Sequence, residues 1–149
     1  FNSLLAKKII LKEDINFTKG VNKHSDLPVP HIPPIFGKIS IRKNGTKLSC
    51  FLDLQYSLMK NVNDFDFAGV DNLDETPYEI INPNSGSEII NYYGLPAWST
   101  LNLSFSYNFS KKINCQFSIN NMLDEHYKSF GSGISAAGRN FITTFRVNY

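Results

Sequence analysis

STLNLSFSYNFSKKINCQFSINNMLDEHY, residues 99–127, alternates apolar and polar residues in two successive runs. In the first, Leu101, Leu103, Phe105, Tyr107 and Phe109 interleave with Asn102, Ser104, Ser106 and Asn108. After Ser110-Lys111-Lys112, the second sets Ile113, Cys115, Phe117 and Ile119 against Asn114, Gln116, Ser118 and Asn120. Successive side chains of a strand point to opposite faces. A period of two therefore predicts two strands, each with one apolar and one polar face. The fold turns on what covers the apolar face.

The same period recurs along the chain. Leu48, Cys50, Leu52, Leu54, Tyr56 and Leu58 share a parity against Ser49, Asp53, Gln55 and Ser57, with Phe51 the misfit. Ile39 and Ile41 oppose Lys38, Ser40 and Arg42, and Phe141, Phe145, Val147 and Tyr149 oppose Thr144, Arg146 and Asn148. The first run, with Ile9, Leu11, Ile15 and Phe17 on one parity, is interrupted by Glu13. Strands are predicted over 5–18, 35–43, 47–60, 98–109, 112–122 and 140–149, with no helical periodicity. Short connections lie at Lys43-Asn44-Gly45-Thr46, where Asn-Gly is expected to supply the positive φ of a tight turn, and at Ser110-Lys111. The connections over 20–34, 61–97 and 123–139 are long. Short turns at one end and long loops at the other are the arrangement of an up-and-down membrane barrel.

Composition sets the limits. The chain of 149 residues is 42% hydrophobic with a net charge of +2. Its scattered Lys and Arg form no basic face for nucleic acid. Cys50 and Cys115 are too few for a disulfide framework and read as small apolar residues within strands. No stretch approaches the ~18 apolar residues of a membrane helix, which leaves strand-spanning architectures open. The opening Phe1-Asn2-Ser3 has neither an initiator Met nor a cleavage pattern, so the chain is expected to be part of something longer. The polar parity is rich in Ser, Asn, Thr and Gln, the aromatics Tyr56, Tyr107, Phe109, Phe141 and Tyr149 gather toward strand ends, and each strand can cross a hydrocarbon layer when tilted. Six strands cannot close on themselves, because known barrels begin at about eight. The expectation is therefore an all-β, antiparallel, up-and-down transmembrane barrel of which this chain supplies about six strands. A soluble β-sandwich module that binds carbohydrate, or a subunit of a split barrel, would carry the same alternation.

The C-terminal third carries Asn121-Met122-Leu123-Asp124-Glu125-His126-Tyr127, then Gly138-Arg139-Asn140 leading into the final strand, and the terminal aromatic Tyr149. In these elements it resembles the last strands of TonB-dependent outer-membrane receptors. Upstream, Phe17-Thr18-Lys19-Gly20 and the segment from Leu27 to Gly37 are similar to a Pro-rich element two hairpins earlier in that family. The resemblance covers essentially the whole of residues 1–149 and implies the C-terminal segment of a barrel of about 22 strands, with the plug domain and earlier strands outside the chain. It implies a Gram-negative outer membrane and import of a scarce ligand such as a ferric siderophore or haem. The implied partners are membrane lipid, the rest of the barrel and its plug, the TonB complex and the barrel assembly machinery, for which Tyr149 would be the signal in place of the more usual Phe. No cofactor and no resident metal are implied.

Candidate site residues follow. Tyr92, Tyr93 and Trp98 lie near the end of the longest loop and could stack on a ligand, with His126 nearby in the third. Asn121, Asp124, Tyr127, Gly138, Arg139 and Asn140 read as structural, with Gly138 permitting a bend and Arg139 bridging loop carboxylates or carbonyls. His24 and His31 read as ordinary loop histidines. Asp64, Asp66, Asp71, Asp74, Glu75, Glu79 and Glu88 form an acidic loop without the spacing of a Ca²⁺ loop. Gly131-Ser132-Gly133 precedes a strand and is no phosphate cradle. No nucleophile–base or paired-carboxylate arrangement supports catalysis, so the chain is not expected to be an enzyme.

Overall fold

A computed structural model describes residues 9–66, 69–82 and 88–149. Strands form where the alternation places them, positions 5–8 of the first lying outside the described residues: β1 (Ile9–Asn16), β2 (Phe36–Lys43), β3 (Leu48–Ser57), β6 (Trp98–Asn108), β7 (Ile113–Asn120) and β8 (Asn140–Val147). Two further strands, β4 (Tyr78–Ile81) and β5 (Ile89–Tyr92), make a hairpin inside the longest loop, where none was expected. Both are only four residues long, Tyr-Glu-Ile-Ile and Ile-Ile-Asn-Tyr. That is too short for alternation to stand out from the surrounding loop.

The six long strands form one sheet in the order β1-β2-β3-β6-β7-β8, every neighbour antiparallel. This is an up-and-down meander broken only by the β4–β5 hairpin. Among the described residues β1 and β8 each have a single neighbour, so the sheet is open at both edges. The register aligns a continuous apolar rung across all six strands: Leu11, Ile41, Leu52, Leu103, Ile119 and Phe141. Cys50 and Cys115 lie on this face opposite Phe105 and Phe145 and are both free.

Burial runs opposite to that of a soluble sheet. Polar-parity residues are buried, with Ser40 and Asp53 at 7% exposure and Thr100 at 2%. No hydrophobic side chain on the apolar parity of the central strands is buried, with Leu52, Leu54, Leu101 and Leu103 half-buried, and both parities of the edge strands β1 and β8 are exposed. Among the described residues the buried hydrophobics are Phe65 and Leu95, both in a loop. A soluble sandwich would need a second sheet over the apolar face. The other sheet among the described residues is the β4–β5 hairpin, two strands of four residues each.

The polar face is knitted by side-chain bonds between neighbouring strands. Ser40 donates to Asp53 at 2.6 Å, Lys38 sits 3.2 Å from the same carboxylate, and Ser104 donates to Ser118 at 2.9 Å. Phe51, the misfit, lies on this face, where the Arg42 guanidinium covers its ring at 4.6 Å. A cation over an aromatic face makes an apolar ring acceptable on a polar wall. Glu13 sits on the apolar parity, paired with Ile39.

The turn at Asn44-Gly45 departs from expectation. Neither residue adopts positive φ. The connection runs from Lys43 to Leu48, longer than the two-residue turn that demands mirror-image dihedrals. Gly45 is needed for close approach instead, since a Cβ there would collide with the carbonyl oxygen of Leu48.

Candidate functional site

The three long loops, 17–35, 58–97 and 121–139, all leave the same end of the sheet and fold against one another. Their hub is Lys60, just past β3, which pairs with Leu95 through two backbone bonds of 3.0 Å. Its ammonium donates to the carbonyl of Ile32 at 2.7 Å and to Asp71 at 2.9 Å. The ring centroids of Phe65 and Phe130 lie 4.6 and 4.1 Å away. The other Asp71 oxygen accepts the backbone N–H of His31 at 2.8 Å. Lys60 and Asp71 side chains are 3% and 1% exposed, so one buried ion pair ties the first and second loops together, with the third supplying Phe130. A second link, Lys128 to Glu75 at 3.0 Å, joins the third loop to the second at the surface.

The third loop is shaped by the motif residues. Asn121 and Asp124 take left-handed backbone, φ 48° and 59°, which Asn and Asp tolerate better than most side chains. The Asn121 amide donates to the carbonyls of Glu125 at 2.8 Å and Ala137 at 3.2 Å, and its oxygen accepts the N–H of Glu125 at 2.9 Å. One side chain thus clasps both ends of the loop. Asp124 accepts the backbone N–H of Arg139 at 2.7 Å. That contact uses the main chain of Arg139, where the sequence reading invoked its side chain. Gly138 does not bend the chain at positive φ. Its role is space, because a Cβ would stand 2.8 Å from the Asp124 carboxylate. Gly138→Ala is therefore expected to displace Asp124 and raise proteolysis of the 121–139 loop severalfold, without changing the β content seen by circular dichroism. Asn140 opens β8 opposite Asn120, and Tyr149 lies beyond it, fully exposed.

Tyr127 carries the clasp to the candidate ligand residues. Its ring packs on Trp98 with centroids 4.1 Å apart and planes tilted 31°. Trp98, the first residue of β6, borders two cavities. One, of about 550 Å³, lies between the second and third loops and is lined by Glu75, Tyr78, Trp98, His126, Tyr127 and Lys128, among others. The other, of about 540 Å³, lies against the polar face and includes Asp14, Phe36, Lys38, Gln55, Trp98 and Phe130. The indole N–H of Trp98 is buried and has no acceptor among the described residues. A buried donor without a partner costs about 1–3 kcal/mol.

Of the four candidate contacts, Trp98 and His126 share the cavity between the second and third loops, while Tyr92 and Tyr93 are not in its wall. Tyr92 packs edge-on against Tyr78 at 5.9 Å. Tyr93 hydrogen-bonds to Glu79, and together with Asn91, the larger influence, holds that carboxyl below its ordinary range; the same bond raises the Tyr93 hydroxyl. A depressed carboxylate pKa adds hairpin stability that is complete above the ordinary carboxylate range and lost as pH falls through the lowered value. Amide protection across β4–β5, corrected for intrinsic exchange, is thus expected to fall as pH drops below the ordinary carboxylate range, and Glu79→Gln to remove that dependence. His31 contacts Asp71, at 3.4 Å from Nδ1, and His24 is exposed in the first loop. No group of three His, Cys, Asp or Glu side chains among the described residues could hold a metal ion. Lys60 and Phe130 escaped the sequence reading, since a single Lys at a strand end and a Phe within a loop carry no periodic signal.

No protein-family model matches the chain, and no curated protein matches it in sequence. Among solved structures, the fold is similar to that of the copper transporter OprC, with a TM-score of 0.66 over 96% of this chain at 12% identity. The match covers 21% of OprC, so the chain spans about a fifth of that transporter's length. At this identity the likeness is one of fold: an antiparallel sheet of the kind found in outer-membrane barrels, present here as a partial wall.

Proposed function

We propose that residues 1–149 are the C-terminal wall of a TonB-dependent outer-membrane receptor that imports a scarce ligand, and that the chain has no catalytic role. The reversed burial of the central strands carries this reading: Ser40, Asp53, Ser57, Thr100 and Ser118 on the polar parity are buried, while no residue of the apolar rung from Leu11 to Phe141 is. Such a broad apolar face is exceptional on a soluble monomer and suits hydrocarbon. The unpaired edges of β1 and β8 would each leave backbone groups unsatisfied in lipid, at several kcal/mol apiece. Further strands of the barrel therefore belong at both edges. The segment motifs Asn121 to Tyr127 and Gly138 to Asn140 support the receptor family, and with it a plug, the TonB complex and the barrel assembly machinery as partners.

The ligand is a ferric siderophore or haem on this reading, with Trp98, Tyr127 and His126 offering aromatic and imidazole contacts at the loop end. The similarity to a copper transporter raises copper as the second candidate. Since three metal-ligating side chains do not gather among the described residues, a copper site would need donors from elsewhere in the barrel. A split barrel, with the remaining strands on a separate chain, predicts the same wall and differs in the gene organisation alone.

Growth of a deletion strain on ferric siderophores, haem or limiting copper as defined sources tests the function. Restored growth on one source by the wild-type gene is expected, and no growth difference on any source would refute uptake. For the rescued ligand, Trp98→Ala is expected to weaken binding up to about tenfold, the worth of one aromatic stack, while the barrel still inserts.

A further inference from the structure

We infer that the short-turn end of the wall is a docking rim for the phosphate headgroups of anionic phospholipid. Charge is sorted along the strands. Of the 13 acidic residues, all but Glu13, Asp14 and Asp53 lie in the three long loops. The opposite end carries Arg42, Lys43, Lys47, Lys111, Lys112 and Arg146, and no acidic residue occurs over 42–52 or 103–119.

The structure joins these cations into one rim. β3 pairs with β6 so that Leu48 faces Tyr107. The Asn108 backbone N–H donates to the carbonyl of Lys47 at 2.8 Å, and its side chain donates to that of Thr46 at 3.0 Å, which fastens the two turns together. Asn148 donates to the carbonyl of Lys112 at 2.9 Å, bringing the end of β8 to the same place. Lys43, Lys47, Lys111 and Lys112 are exposed and form no ion pair with the described residues. The lysines that do form ion pairs, Lys12, Lys38, Lys60 and Lys128, lie on the polar wall or in the loops.

The surroundings are those of a bilayer boundary. Lys43 belongs to the apolar parity, between Ile9 and Cys50, so its methylenes can lie on hydrocarbon while its ammonium reaches the headgroups. Tyr107, opposite Leu48, and Phe109 pack edge-on at 4.9 Å at the same short-turn end of the sheet, both exposed, as aromatic residues do at membrane interfaces. An amine row at headgroup depth next to an aromatic pair fits a lipid phosphate better than a soluble anion, which would leave the rings and the Lys43 stem unused. Each lysine near an anionic surface strengthens association about fivefold.

This inference rests on the membrane-barrel reading, and the test separates the two. The full-length protein is inserted into phosphatidylcholine bilayers, and the relative affinity of spin-labelled phosphatidylglycerol over spin-labelled phosphatidylcholine is measured. The wild type is expected to select phosphatidylglycerol at least fivefold in low salt, with the selectivity declining as salt rises. Lys43→Gln/Lys47→Gln/Lys111→Gln/Lys112→Gln is expected to abolish it, and Lys19→Gln/Lys23→Gln, at the loop end, to preserve it. If the quadruple variant fails to fold, Lys47→Gln/Lys112→Gln is expected to reduce the selectivity severalfold. Insertion without headgroup selectivity, selectivity that survives the quadruple change, or its loss to an equal concentration of free glycerol phosphate would overturn the inference alone. Failure to insert would overturn the barrel reading and the inference with it.

Discussion

Asp71→Asn is expected to unlatch the loop crown at a cost of about 3–5 kcal/mol, because it strands the Lys60 ammonium in a buried setting without its counter-charge. The substitution keeps the shape of the side chain and an oxygen for the His31 N–H. It removes the charge 2.9 Å from Lys60 and puts amide hydrogens within reach of the ammonium in one of its two orientations. The Ile32 carbonyl and the faces of Phe65 and Phe130 remain around the lysine, but these are dipoles and quadrupoles and do not replace a full charge. Hydrogen exchange should show protection falling together in the 31–34, 60–66 and 127–132 segments, and the strands should be unaffected. Lys60→Met/Asp71→Leu should recover much of the loss, since removing both members of a buried pair is often close to neutral. If protection in the first loop survived Asp71→Asn, the ion pair would not be the hub. Loosened loops would also disturb the cavity beside Trp98, so ligand affinity should fall with protection.

The second large effect concerns the opposite face of the wall. Leu103 sits in the middle of the apolar rung, between Leu52 and Ile119. Leu103→Arg is expected to destabilise the folded, bilayer-inserted protein by about 2–4 kcal/mol, the cost of a cation at mid-depth on a lipid-facing strand. Ser104→Arg, one residue along and on the polar wall, should cost much less. Urea titration of the protein in lipid vesicles, followed by its mobility in detergent gels, measures both. A cysteine at 103 carrying a fluorophore should be quenched by a lipid-soluble quencher, and the same label at 104 should not. Reversal of that pattern would contradict the assignment of faces.

Both predictions depend on features whose visibility in the sequence differs. The faces were legible because alternation is local: Leu101 and Leu103 flank Asn102, and a strand needs no distant information to put them on one side. The six long strands and the sorting of short turns from long loops followed from the same pattern, within a few residues at each end. The Asn121 and Asp124 motif was legible as structural, yet its geometry was not. Gly138 serves to make room for a carboxylate and does not supply a bend, and Arg139 acts through its main chain.

Of the candidate contacts, Trp98 and His126 came together and Tyr92 and Tyr93 did not, because the unexpected β4–β5 hairpin commits Tyr92 to Tyr78 and Tyr93 to Glu79. Asp71 was legible as one carboxylate of an acidic loop, but its pairing with Lys60 had no signature. They are separated by a loop with no periodicity, and their encounter depends on how three connections fold over one another.

By itself, the sequence determined the strands, their two faces and the end of the sheet to which the long loops belong, since each of these is set by neighbours within a few positions. The tertiary structure alone decided that the buried positions of the central strands lie on the polar face, that Lys60 and Asp71 pair beneath the loops, and that the lysines of two separate turns share one rim. Those outcomes depend on the pairing of β3 with β6 and on loop packing, where residues distant in sequence meet and no local pattern records the partner.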